Sequence, residues 1–241
     1  METRFHRHSG KGLKRINSFF HLIFPNCCVH CGNELPVIRE TLCFGCESKI
    51  NWSESQDNEI ENRVLQGIND VHAVSIHTLF VFEKEGVEQS IIHQLKYRNS
   101  AQTGVIFGRK LALKFLKRNE IKHIECIIPV PVFHRKKFDR GYNQAEQISK
   151  GLASVLTIPV IRMVSKTKHT VSQTKLTREE RLSNVDKTFW VSQELLKFKS
   201  IALVDDVITT GATLKAICEE ITEVNESIRI TIFSLGVARF E

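Results

Sequence analysis

Nothing in the sequence approaches the roughly 18–20 consecutive apolar residues that a membrane-crossing helix needs, so no span is expected. Residues 16–24, "INSFFHLIF", are hydrophobic and follow a basic head, as in a secretion signal. No small-residue cleavage site follows them, and they run straight into cysteines, which rejects that assignment. A G-x-x-x-x-G-K-[ST] loop is missing, which excludes a P-loop motor, and so is the G-x-S-x-G nucleophile elbow. Internal repeats and low-complexity tracts are absent as well. The 7 cysteines are an odd number, and four of them cluster. That argues against a secreted disulfide frame and for a metal in a reducing cytoplasm.

What is present suits one sizeable domain plus a small module: 241 residues, 41% apolar and 25% charged, the balance of a globular chain. The net charge of +7 fits polyanionic partners such as nucleic acid or phosphorylated ligands.

Along the chain, residues 1–15 read as a basic, flexible N-terminus and 16–50 as a cysteine module with a short helix ended by Pro25. Polar and acidic residues 51–70 read as a linker, and 71–241 as the main domain. Within that domain a strand is expected over 73–82. Helix spacing at 87, 91, 92 and 95 predicts a helix over 86–98, and a second, with a basic face, covers 103–118. From there strand, loop and helix repeat. Strands are expected at 126–132, 159–165, 201–204 and 229–238. The helix over 143–156 aligns Ala145, Ile148, Leu152 and Leu156, and the last helix aligns Leu214, Ile217, Ile221 and Val224. Residues 166–188, polar and basic with few apolar anchors, read as a mobile loop. The alternation predicts an α/β fold built on a mostly parallel sheet with flanking helices.

Two motifs carry chemistry. "IALVDDVITTGATLKAI" (201–217) sets an acid pair before a Thr/Gly turn that opens a helix. The N–H groups of such a turn and the helix dipole favour an anion, and the hydroxyls of Thr209, Thr210 and Thr213 add donors. Gly211 lets the backbone come close to a ligand. Asp205 and Asp206 would repel a bare phosphate. A sugar phosphate removes the conflict, with phosphate on the Thr/Gly side and a vicinal diol, with or without Mg²⁺, on the acids.

The second motif is "CVHCG" (28–32) with "CFGC" (43–46), two C-x₂-C pairs separated by 11 residues. Cys28, Cys31, Cys43 and Cys46 supply four thiolates for tetrahedral Zn²⁺. A closed four-sulfur site makes that zinc structural. Redox dithiols or an iron–sulfur centre are the alternatives. Cys27 competes with Cys28 at a less regular spacing, and His30 is expected to be exposed. Cys126 and Cys218 fall in apolar periodic segments and read as core.

"VDDVITTGAT" resembles the phosphoribosyl-pyrophosphate (PRPP) loop of type I phosphoribosyltransferases. The resemblance assigns catalysis to Asp205 and Asp206, and PRPP binding to Val207, Thr209, Thr210, Gly211, Ala212 and Thr213. It implies a pyrophosphate loop at "PVFHRKKFDRGYNQ" (131–144), with Arg135, Lys136, Arg140, Gly141, Tyr142 and Asn143, the last able to cap the following helix. It also implies a hood over 166–188, carrying Lys166, Lys168, Arg178 and Arg181, and Mg²⁺ accompanying PRPP. Together with the zinc-ribbon-like module, the segments "IIHQLKYRNS", "RGYNQAEQIS" and "QTKLTREERLSNV" make the chain similar to the ComF family of competence proteins.

That family implies natural transformation: handling of incoming single-stranded DNA in the cytoplasm, alongside a ComFA-type translocase and other competence proteins. Phe138, Tyr142 or Trp52 could stack on bases, or else anchor core and loops. The alternatives are an active phosphoribosyltransferase with an unknown acceptor, and a scaffold whose sugar-phosphate site is regulatory.

Overall fold

The computed structural model describes residues 26–36, 38–53, 74–97, 100–116, 119–132, 141–166 and 188–238. The chain divides into two compact units, Met1–Ile50 and Asn51–Glu241. In the first, the short helix α1 (Phe44–Glu47) follows a turn at residues 29–31, and Leu35, Leu42 and Ile50 form a small buried core.

The second unit contains a sheet of four strands: β1 (Val74–Phe82), β2 (Cys126–Pro129), β5 (Ser200–Ile208) and β6 (Arg229–Ala238). Their order is β1-β6-β5-β2 and every pairing is parallel. Four α-helices and two 3₁₀ turns, Asn119–His123 and Gln193–Lys197, accompany the strands or lie between them among the described residues. The α-helices are α2 (Val87–Tyr97), α3 (Ala101–Phe115), α4 (Gln144–Leu156) and α5 (Ala212–Val224). Alternate strand residues face opposite layers, as the pleat requires. Cys126, Ile128, Ile201, Leu203, Ile230 and Ile232 share one core with Leu214, Ile217, Cys218 and Ile221 of α5. On the other side the His77 ring lies 4.7 Å from that of Phe115 of α3 and 5.4 Å from that of Phe233, centroid to centroid. Burial on both faces explains the continuous apolar runs, and Cys126 and Cys218 are core residues, each 0% exposed.

Helices α3 and α4 meet backbone to backbone. A Cβ at Gly108 would lie 2.2 Å from the Ile148 carbonyl oxygen, and one at Gly151 2.2 Å from that of Val105. The small residues thus set the distance between these helices.

Four expectations need correction. The strand expected at 159–165 is a single parallel bridge, Val160 to Ile127, followed by β3 (Val164–Lys166). β3 pairs antiparallel with β4 (Phe189–Val191) in a separate two-stranded sheet, because Pro159 and the irregular stretch after Val160 break the ladder. The strand expected at 201–204 continues to Ile208, so both acids lie on β5 and not beyond it. The strand expected at 126–132 ends at Pro129. The linker expected at 51–70 begins with residues that are tied down: Val81 N–H donates to Asn51, Ser53 N–H donates to Leu79, and Trp52 bridges Phe80. Lys114 clamps this segment through the Ser53 hydroxyl at 2.8 Å and the Thr78 carbonyl at 3.2 Å. It covers the outer edge of β1, which would otherwise leave backbone groups unpaired.

Candidate sugar-phosphate site and metal centre

The acid pair sits at the carboxyl end of β5, where ligands of open α/β sheets bind. Each carboxylate is fixed by the next backbone amide. Asp205 Oδ1 accepts the Asp206 N–H at 2.8 Å, and Asp206 Oδ1 accepts the Val207 N–H at 2.8 Å. Ser234 of β6 donates to the Asp206 carbonyl at 3.0 Å and so holds the strand in register. Burial, and then the charge of Asp206, push the Asp205 carboxyl up to about 7.

Beyond Ile208 the chain turns through Thr209 and Thr210 into Gly211, which adopts the left-handed conformation (φ 74°) and caps α5. A side chain is disfavoured at that φ, so glycine is required by the backbone. The Thr210 hydroxyl accepts the Ala212 N–H at 3.4 Å. Asp205, Val207, Thr209, Thr210, Gly211, Ala212 and Thr213 line one cup of about 40 Å³ at the start of α5. The sequence-derived PRPP-binding residues are thus brought together, and Asp205 joins them.

At the end of the expected pyrophosphate loop, Gly141 also has positive φ (75°). Asn143 is buried and spent on structure: its Oδ1 caps α4 by accepting the Ala145 N–H at 3.0 Å, and its Nδ2 donates to Val130 at 2.9 Å. The Tyr142 hydroxyl donates to the Leu95 carbonyl at 2.6 Å, so its polar end serves as an anchor to α2. Arg135, Lys136 and Arg140 lie outside the described residues, as do Phe138, Lys168, Arg178 and Arg181. Lys166 lies over the Phe189 ring at 5.2 Å and lines a second cavity, of about 230 Å³, with Asn143, Glu146, Arg162 and Trp190.

One residue at the acid pair was missed from the sequence. Lys96, in the last turn of α2, places Nζ 3.4 Å from Asp206 Oδ2. The only hint was a lysine within "IIHQLKYRNS", and nothing in linear spacing connects it to Asp206 across 110 positions. With Lys96 in place, three of the four carboxylate oxygens already have protein partners. Mg²⁺ usually keeps several waters and takes one or two carboxylates together with substrate phosphates, so a pair engaged by protein groups to this extent is not a built protein site for it.

In the first unit, one sulfur from each of Cys28, Cys31, Cys43 and Cys46 lies within 4.8 Å of every other. Cys27 is exposed and outside the group, Cys28 lies within it, and His30 is exposed too. Gly32 (φ 75°) closes the first knuckle with its N–H on the Cys28 carbonyl at 3.0 Å. Burial opposes a Cys28 thiolate, but hydrogen bonds from the backbone at Cys31, Cys43 and His30 outweigh it and hold the thiol down at about 6. Burial and the neighbouring Cys43, Cys31 and Cys28 push Cys46 up to about 12. Four sulfurs this close ionise together only around a cation, so the donor set fits a metal such as zinc.

The phosphoribosyl transferase domain family matches residues 103–235. Competence protein F of Haemophilus influenzae is 32% identical over 201 residues, covering 79% of this chain and 88% of that protein. The DNA utilization protein YhgH of Shigella flexneri is 28% identical over 133 residues, 54% of this chain and 58% of its own. Competence protein ComFC of Bacillus subtilis is 25% identical over 155 residues, 64% of this chain and 62% of its own. With the parallel sheet and the acid–threonine turn in place, these matches establish that the chain belongs to the ComF family of phosphoribosyltransferase-like competence proteins.

Proposed function

We propose that this protein binds phosphoribosyl pyrophosphate or a closely related sugar phosphate, and takes part in handling incoming single-stranded DNA in the cytoplasm. The observation that carries the ligand is Asp205, which lines the same cup as Thr209, Thr210 and Thr213. The N–H groups at the start of α5 and the threonine hydroxyls hold the 5-phosphate, and the acids at the end of β5 accept hydrogen bonds from ribose hydroxyls. A cup for phosphate alone has no use for a half-buried carboxylate on its wall. The Mg²⁺ of this reading belongs to the pyrophosphate of the ligand.

The DNA side is supported by the names of the relatives and by the net charge of +7, which favours contacts with a phosphate backbone. A ComFA-type translocase and other competence proteins are the partners this role calls for.

A second reading, an active phosphoribosyltransferase, is favoured by the position of the acid pair. In that reaction an acceptor nucleophile forms a bond to the anomeric carbon while the carbon–oxygen bond to pyrophosphate breaks. Pyrophosphate departs with the electron pair. Asp205 and Asp206 would stabilise the positive charge that develops on the ribose ring.

Titration calorimetry with PRPP and ribose 5-phosphate tests the ligand, and Asp206→Asn is expected to weaken both. Wild-type protein that binds neither defeats the reading. Filter binding of single-stranded DNA across a salt series tests the DNA side, where an absent or salt-insensitive signal would remove direct contact. Pyrophosphate release with a panel of acceptors separates the enzyme from the binding protein.

A further inference from the structure

We infer that Lys96 is the resident counter-cation of the acid pair, so that the ribose-phosphate end of the ligand binds without a divalent metal. This rests on the sugar-phosphate reading above and adds to it how the negative charge of the site is balanced.

The geometry is specific. Lys96 Nζ lies 3.4 Å from Asp206 Oδ2, with side chains 26% and 18% exposed, so water screens the pair only in part. The other Asp206 oxygen is held by the Val207 N–H, which aims Oδ2 at the lysine. Lys96 is also well placed by its helix. Ile91, Ile92 and Leu95 bury one face of α2, which fixes its rotation about its axis. The Tyr142 hydroxyl grips the Leu95 carbonyl at 2.6 Å, one residue before the lysine. The end of α2 therefore touches both sides of the site, the pyrophosphate-loop end through Leu95 and the acids through Lys96. A cation in the last turn of a helix is further favoured by the helix dipole.

The chemical consequence concerns charge. Two adjacent carboxylates beside a phosphate cup repel an anionic ligand unless a cation stands between them. Lys96 supplies one positive charge from the protein itself, on an oxygen that a metal would otherwise take. A sugar monophosphate, with no pyrophosphate to bring a metal along, should then bind equally well with or without Mg²⁺.

The test is calorimetric titration of the full zinc-loaded chain with ribose 5-phosphate and with PRPP. Magnesium-free buffer without chelator, which spares the cysteine site, is compared with millimolar Mg²⁺. For wild type the ribose 5-phosphate affinity is expected to differ by less than about twofold between buffers. Lys96→Met is expected to lose about tenfold to a hundredfold without Mg²⁺, the range for a lost charge-assisted contact, and to regain part of it with Mg²⁺. Lys96→Arg should keep most of the affinity, and unchanged melting midpoints show that the variants are folded. A merely structural lysine would give no magnesium rescue. Wild-type binding that collapses without Mg²⁺, or Lys96→Met binding like wild type there, overturns the inference while leaving the sugar-phosphate site standing. Wild type that binds neither ligand in either buffer overturns both.

Discussion

The hydroxyl of Tyr142 donates to the carbonyl of Leu95 at 2.6 Å, joining two stretches of sequence that share no linear relation. One is the "RGYNQ" segment that leads into α4. The other is the end of α2, whose next residue is Lys96. Tyr142→Phe keeps the ring and deletes only this bond. The expected cost is about 1 kcal/mol of stability, read from chemical denaturation, because a carbonyl at a helix end loses its partner. A weakening of sugar-phosphate affinity should accompany it if the bond positions Lys96. Unchanged affinity together with lowered stability would show that the bond serves the fold alone.

Close contact between α3 and α4 gives a sharper stability prediction. The atoms that a Cβ would meet at Gly108 and Gly151 are backbone carbonyl oxygens, which cannot rotate away. Gly108→Ala or Gly151→Ala must push the helices apart, at a cost of about 3 kcal/mol or more. Gly104→Ala should cost less, because its nearest neighbour, the Cβ of Gln147, stands at 2.7 Å and not 2.2 Å, so a smaller shift relieves the clash. Denaturation midpoints of the three variants would rank them, and equal losses would show that the spacing is not set by Gly108 and Gly151.

Much of this site could be read in the sequence because its parts are local. Thr209 to Thr213 are neighbours in the chain, and Gly211 is where a left-handed cap must fall. The cysteine pairs are legible for the same reason, since knuckle spacing determines which sulfurs can converge. The long apolar periodicities of α2 to α5 likewise mark helices whatever they pack against. What stayed hidden depends on pairing across the chain. Lys96 reaches Asp206 only once β1 and α2 have been laid beside β6 and β5. Asn51 to Ser53 look like linker because their role, covering the edge of β1, is a matter of backbone hydrogen bonds and not of residue type. Polarity alone ends the strand at Asp205 and Asp206, yet the ladder to β6 runs on through Val207 and Gly236.

For the cysteine centre, one zinc per chain is expected, measured by native mass spectrometry or metal analysis. Cys46→Ser should abolish it, since a buried ligand cannot be replaced from solvent. Cys27→Ser should leave it intact, because that sulfur is outside the cluster. The unit around it has a core of only a few side chains, so removing the metal should unfold this unit and leave the four-stranded sheet folded. Retention of metal by Cys46→Ser, or its loss from Cys27→Ser, would reassign the ligands.

The raised ionisation of Asp205 makes a prediction in which stability and binding move in opposite directions. Its carboxyl titrates near 7 in the folded protein because of burial and the charge of Asp206, against the usual carboxylate range when unfolded. At acid pH both states hold the proton and the group contributes nothing. As pH rises above the usual carboxylate range, the unfolded chain releases its proton while the folded chain keeps it. The folded state then binds more protons, so ligand-free stability falls with rising pH until the folded carboxyl also ionises near 7. Asp205→Asn removes that slope. The variant should match wild type near pH 4 and exceed it near pH 8 by several degrees in melting midpoint in a domain of this size. The same substitution should weaken PRPP binding, because the carboxylate lining the cup is lost. Parallel melts and titrations across that pH range check both halves. A variant less stable than wild type near pH 8 would mean that Asp205 is held as a satisfied carboxylate and not as a strained one.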